Sequence, residues 1–167
     1  MKRKIEKRRR REGKTDYKAR INLLKSEKAR IIFRKTNKYI IAEYITSQEA
    51  QDKIEIGMNS GALIKYGWPK DMKGSLKSIP ASYLMGFLIG KKVLSSKKDN
   101  PILDSGMIRN LHKTKVYAFL KGLVDSGLKM KYKEGIFPEK ERIEGKHMKK
   151  DFSKTFNEIK SKIEKEF

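Results

Sequence analysis

ARIIFRKTNKYIIAEYI, residues 29–45, reads as a β-hairpin. Ala29 to Arg34 is rich in β-branched and aromatic residues, Thr36-Asn37-Lys38 supplies a turn, and Tyr39 to Ile45 reads as the returning strand. Downstream, Lys53 to Met58 alternates charge with isoleucine, as a half-exposed third strand does. Three antiparallel strands in succession make a meander.

Beyond the meander, Asn59 to Ser78 reads as a long surface loop holding the only tryptophan, Trp68, whose ring either stacks on a base if exposed or, the favoured reading, packs to close one end of the core. Ser78 is placed to cap a helix with Pro80 in its first turn, running to about Ser95, with Tyr83, Leu84, Phe87, Leu88 and Leu94 on an apolar face. Gly86 and Gly90 on that helix read as packing glycines. Asp99-Asn100-Pro101 marks a turn before a fourth strand, Ile102 to Ile108. Thr114 then caps a second helix, Val116, Phe119, Leu120, Leu123 and Val124 share its inner face, and Gly127 stops it. Leu128 to Tyr132 reads as a short last strand. The expected fold is therefore α/β: a mixed β-sheet with helices packed on it, in the order β-β-β-α-β-α-β.

From Met148 onward Phe152, Phe156, Ile159, Ile163 and Phe167 recur at helical spacing, giving an amphipathic helix with a Lys/Glu-rich outer face. Two destinations are open for it, its own domain or a neighbour. Three segments follow: a basic arm over residues 1–27, a mixed α/β core over 28–132, and a C-terminal extension over 133–167.

Charge dominates the composition. The 167 residues carry 42 Lys or Arg against 20 Asp or Glu, a net +22, with 37% hydrophobic and 37% charged residues. Residues 1–40 alone hold 17 cations against 4 acids. A segment so basic buries too little apolar surface to offset its ordering entropy, so it calls for a polyanion. The balance points to a nucleic-acid partner. No apolar run approaches a membrane span, and the N-terminus lacks the apolar stretch of a secretory signal. Zero cysteines removes disulfides, thiol catalysis and thiolate metal sites together, and fits a cytoplasmic setting.

Catalytic and metal sites are not expected, and neither are cofactors or a small-molecule substrate. His112 and His147 have no carboxylate at ligand spacing, and no phosphate loop, dinucleotide fingerprint or nucleophile motif occurs. The best enzymatic alternative is a nuclease-like carboxylate site around Asp104, with Glu43 and Glu55 as the only strand partners, too few converging acids for metal-dependent cleavage.

Three basic groups are the candidate nucleic-acid contacts. The arm offers Arg8, Arg9, Arg10, Arg11, Lys14, Lys18 and Arg20 for phosphates, Tyr17 for stacking, and Gly13 for close backbone approach; Thr15 and Asp16 turn and cap the segment, and Thr15 is also a candidate for a 2′-hydroxyl. The first hairpin offers Lys28, Arg30, Arg34, Lys35, Asn37 and Lys38, with Arg30 and Arg34 on one face by parity. The third group, Arg109, Asn110, His112, Lys113 and Lys115, lies between a strand end and a helix N-terminus.

RRRREGKTDYKAR (8–20) resembles the N-terminal signature of the large-subunit ribosomal proteins that bind 5S rRNA, the family called ribosomal protein eighteen in archaea and bacteria and five in eukaryotes. Residues 29–45 are similar to that family's first hairpin, and YGWPKDMKGSLKSIPASYLMGFLIGKKVL (66–94) to its first core helix and preceding loop. LDSGMIRNLHKTKVYAFLKGLVDSGL (103–128) is similar to its strand-loop-helix block, and IFPEKERIEGKHM (136–148) to the C-terminal segment of archaeal and eukaryotic members. The short link 95–101 favours the archaeal form. The resemblance implies a three-layer ribonuclease-H-like fold. It also implies a structural role in the central protuberance of the large ribosomal subunit, with 5S rRNA, the large (23S-type) rRNA and neighbouring ribosomal proteins as partners. The competing class is a general nucleic-acid-binding or RNA-chaperone protein, distinguished by weak preference among nucleic acids.

Overall fold

The computed structural model describes residues 5–109, 111–148 and 151–167. The hairpin forms as its sequence dictates: β1 (Arg30–Lys35) pairs antiparallel with β2 (Ile40–Gln48), Phe33 opposite Ala42, around a turn in which Thr36 closes on Tyr39. β3 (Gln51–Asn59) completes the meander, and β4 (Ile102–Asp104) adds parallel to β1, giving the mixed order β3-β2-β1-β4.

Ile31, Phe33, Ile40, Ala42 and Tyr44 project from one face of this sheet, all buried. Against them packs α3 (Ile79–Ser95), started by Ser78, whose hydroxyl accepts from the Ala81 amide, with Pro80 in the first turn. The sequence suggests one apolar face for α3, but its residues are buried without interruption from Ile79 to Gly90. The reason is a second covering. α4 (Lys115–Asp125) crosses on one side, while α5 (Lys140–Glu144) and α6 (Ser153–Glu166) close over the other. The α3–α4 crossing is backbone against backbone. A Cβ on Gly86 would overlap the Phe119 carbonyl oxygen, and one on Gly122 would overlap that of Tyr83. A Cβ on Gly90 would overlap the side-chain hydroxyl of Ser126, so the packing role of Gly86 and Gly90 holds. Gly127 ends α4 with φ +110°, a conformation costly for any other residue.

The C-terminal helix folds back on its own domain. Phe152 packs on Trp68 with centroids 4.7 Å apart, Phe156 on Tyr83 at 5.4 Å, and Ile159 and Ile163 are fully buried. Trp68 is 2% exposed and donates its indole N–H to the Met72 carbonyl. The Tyr83 hydroxyl donates to Asp125, and burial with that carboxylate pushes its ionisation far upward.

Three expectations are corrected. Residues 59–78 are not a surface loop: two 3-10 turns, Ser60–Ile64 and Lys70–Ser75, deliver Leu63, Trp68 and Leu76 into the core. The fourth strand stops at Asp104, because its carboxylate accepts from the Gly106 amide and turns the chain. Leu128 to Tyr132 forms no strand; the Lys129 amide is taken by the Asn100 side chain, and Leu128 is spent on the core beside Gly90.

Candidate nucleic-acid interface

The arm is helical. Arg8–Arg11 form one turn, α1, and α2 (Tyr17–Lys25) starts at Asp16, whose carboxylate accepts from the amides of Lys18 and Ala19. Between them Gly13 takes φ +62°, and the Thr15 hydroxyl accepts from Arg9 Nε at 2.8 Å. Neither helix has a buried residue, so the arm lies on the domain without joining its core.

One ionic clasp holds it there. Arg20 donates to Asp52 Oδ2 at 3.1 Å, and Asp52 Oδ1 accepts from Arg30 at 2.6 Å. Arg30 also reaches Asp104 at 3.2 Å and Ser47 at 2.9 Å. Burial works against the Asp52 charge, but the Ser47 hydroxyl and the two guanidiniums prevail and hold its carboxyl below the usual range. Arg30 does share a face with Arg34. Yet it is 2% exposed, with its donors committed to internal carboxylates, so the expectation of a phosphate contact from Arg30 is corrected. The same pairing engages Asp104, while Glu43 is bound to Arg34 at 3.6 Å; these acids answer arginines instead of converging. Among the described residues no group of three or more His, Cys, Asp or Glu is placed to hold a metal.

The remaining cations are mostly on the surface. Arg8, Arg9, Arg10, Arg11, Lys14 and Lys18 are exposed, while the Tyr17 ring is half-buried beneath the Lys7 ammonium, 4.5 Å from its centroid. A cleft of about 570 Å³ separates arm from sheet, and Arg9, Lys14, Thr15 and Arg20 face Arg34, Lys35 and the 105–108 turn across it. Around the corner, a second cleft of about 420 Å³ is bounded by Lys35, Arg109, Lys113, Lys115 and Arg142. Lys35 and Ile108 line both, so the arm, the end of β1 and the 109–115 segment form one continuous cationic face.

Others stand apart. Lys28 lines a separate hollow with Leu24 and Glu49. Asn37 and Lys38 are exposed at the hairpin tip, where the Asn37 carbonyl accepts from Lys77 at 2.8 Å. His112 is exposed and meets Tyr117 edge-on, and Lys113 pairs with Glu139 at 3.1 Å. Asn110 lies outside the described residues.

Two members of this face escape sequence reasoning. Lys77 precedes the α3 cap, and Arg142 comes from α5; only the fold brings either to the 109–115 segment. The charge of Lys77 is felt at Lys115, whose ammonium is pushed below its ordinary value by burial and by the charges of Lys35 and Lys77. Cations here outnumber the acids that face them.

Residues 1–101 match the family described as ribosomal large subunit proteins 60S L5 and 50S L18. A large ribosomal subunit protein uL18 from Methanoregula boonei is 37% identical over 165 residues, covering 95% of this chain and 92% of the relative. The chain belongs to this family. Further members of it, from Korarchaeum cryptofilum and Methanoculleus marisnigri, are 39% and 41% identical over 87% and 84% of the chain. The family is one of structural constituents of the ribosome, not enzymes, and the mixed sheet with packed helices is consistent with its fold. Among the described residues no helix is long and apolar enough to cross a membrane.

Proposed function

We propose that this ribosomal protein binds 5S rRNA and anchors it to the large rRNA within the central protuberance of the large subunit, beside neighbouring ribosomal proteins. The observation carrying the reading is the continuous cationic face, in which arm, β1 and the 109–115 segment border two clefts joined through Lys35. Folded RNA presents phosphates, 2′-hydroxyls and unstacked bases, and such a surface suits all three. Arm residues grip the backbone; the clefts behind them discriminate shape. Residues 1–27 serve as the grip, and the 133–167 extension supplies Arg142 to the face while its helix seals the core.

A competition assay tests this: labelled 5S rRNA, excess tRNA, and about 150–300 mM salt, where nonspecific phosphate contacts weaken. The full chain is expected to retain 5S rRNA over tRNA, and a version lacking residues 1–20 to lose much of that hold. Equal competition by tRNA would replace the specific reading with a general nucleic-acid binder.

A further inference from the structure

The second cleft differs from the first, which Asp16, Asp52 and Asp104 help to line. Its floor is apolar, from Phe33, Ile79, Ile108 and Val116, and its rim is cationic. At about 420 Å³ it falls within the range of roughly 300–1,000 Å³ typical of small-ligand sites. No carboxylate lines it. Lys35, Arg109, Lys115 and Arg142 have no ion-pair partner among the described residues. A merely solvated charged face would not need the apolar floor, and a lone phosphate would leave that floor wet.

We propose that this cleft receives one unstacked nucleotide of the bound RNA, its base over the Ile108 side of the floor and its phosphate between Lys35 and Lys115. This rests on the RNA-binding reading above. Charge complementarity names the occupant: a nucleotide is the common polyanion unit that also offers a flat, largely apolar face. The exposed guanidiniums of Arg109 and Arg142 stand at the rim, where a planar cation can stack on a base. Lys115 supports the assignment, since its ammonium is held down by burial and by Lys35 and Lys77, a strain that an incoming phosphate relieves. The C-terminal extension gains a role in binding, because Arg142 lies on α5 and the Lys113–Glu139 pair and the Lys113 amide to Ile136 carbonyl bond fasten that segment to the rim.

The test measures affinity of the full chain for 5S rRNA across a salt series, with Ile108→Trp to fill the cleft, Lys115→Ala and Arg142→Ala at its rim, and Lys129→Ala at the far end of α4 as control. Ile108→Trp and Lys115→Ala should each weaken binding about tenfold, and only the lysine change should also lower the salt slope, by about one. Lys129→Ala should stay within about twofold of the parent, as expected for a cation outside the contact. Thermal melts confirm folding; should Ile108→Trp unfold, the exposed Arg142→Ala, expected to cost about fivefold, decides in its place. Binding by Ile108→Trp or Arg142→Ala within twofold of the parent overturns the proposal. If the parent holds tRNA as tightly as 5S rRNA, the 5S reading fails, and the same variants measured on tRNA still judge the cleft.

Discussion

Replacing Arg30 with alanine should unfold the protein more readily while leaving its electrostatic grip on RNA unchanged. The side chain is 2% exposed, and its guanidinium joins Asp52 at 2.6 Å, Asp104 at 3.2 Å and Ser47 at 2.9 Å. Removing one partner of a buried pair costs about 3–5 kcal/mol, mostly through the uncompensated charge left behind. Here Asp52 and Asp104 keep 24% and 17% side-chain exposure, so water reaches them and the lower end applies. A loss of about 3 kcal/mol corresponds to a fall of roughly 6–12 °C in Tm for a chain of this size. In urea, with a slope of about 2 kcal/mol/M, the midpoint should drop by about 1.5 M. Asp52 sharpens the test. Its carboxyl is depressed in the folded protein, so the stability it contributes is present above its unfolded pKa near 4 and is lost as pH falls through the folded value. The Arg30→Ala variant should lose part of that acid-side dependence. Alongside, its salt slope for RNA should match the parent, whereas Lys115→Ala lowers it by about one. A stability change under about 1 kcal/mol, or a reduced salt slope, would refute the assignment of Arg30 to the scaffold.

Gly122→Ala should cost about 3 kcal/mol or more, because a Cβ there overlaps the Tyr83 carbonyl oxygen and forces α3 and α4 apart; chemical denaturation reads it, and a loss below 1 kcal/mol would contradict the close crossing. Phe152→Ala should cost about 3–5 kcal/mol and shift Trp68 fluorescence to the red, since it uncovers the ring 4.7 Å away; unchanged emission would mean that α6 does not seal that end. At alkaline pH, burial and Glu166 push Tyr66 up to about 12, and Tyr83 is raised further by burial and Asp125. Both bind their protons more tightly when folded. The stability they add is therefore full below about pH 10, the unfolded value, and declines as pH rises through it, which melts between about pH 9 and 12 will show as a falling Tm.

How much of this was legible in the sequence depends on the range of the cause. The hairpin, α3 and α4 follow from local periodicity, the Ser78 cap and the Gly127 stop, all acting within a few residues. Two features of α3 needed the whole fold. Its burial on every side comes from a helix some seventy residues downstream, and Gly122 becomes necessary only where α4 crosses it. Leu128 to Tyr132 has strand composition, but the Asn100 side chain holds its backbone and no sheet edge receives it. Parity placed Arg30 correctly beside Arg34. What parity cannot say is that Asp52 and Asp104, 22 and 74 residues away, would meet it and withdraw it from solvent. Charge clustering found the arm and the 109–115 segment because those cations are adjacent in sequence. Lys77 and Arg142 join them only in space.

One continuous face is expected to meet one folded RNA. Ultraviolet cross-linking of the complex between full-length protein and 5S rRNA, read by peptide mass spectrometry, tests it most directly. Cross-links are expected from residues 8–20, from Arg34 and Lys35, and from 109–115 in the same complex, and none from the outward lysines Lys154, Lys162 and Lys165 of α6. Cross-links spread evenly over every exposed lysine, α6 included, would contradict it and leave only a diffuse attraction between opposite charges.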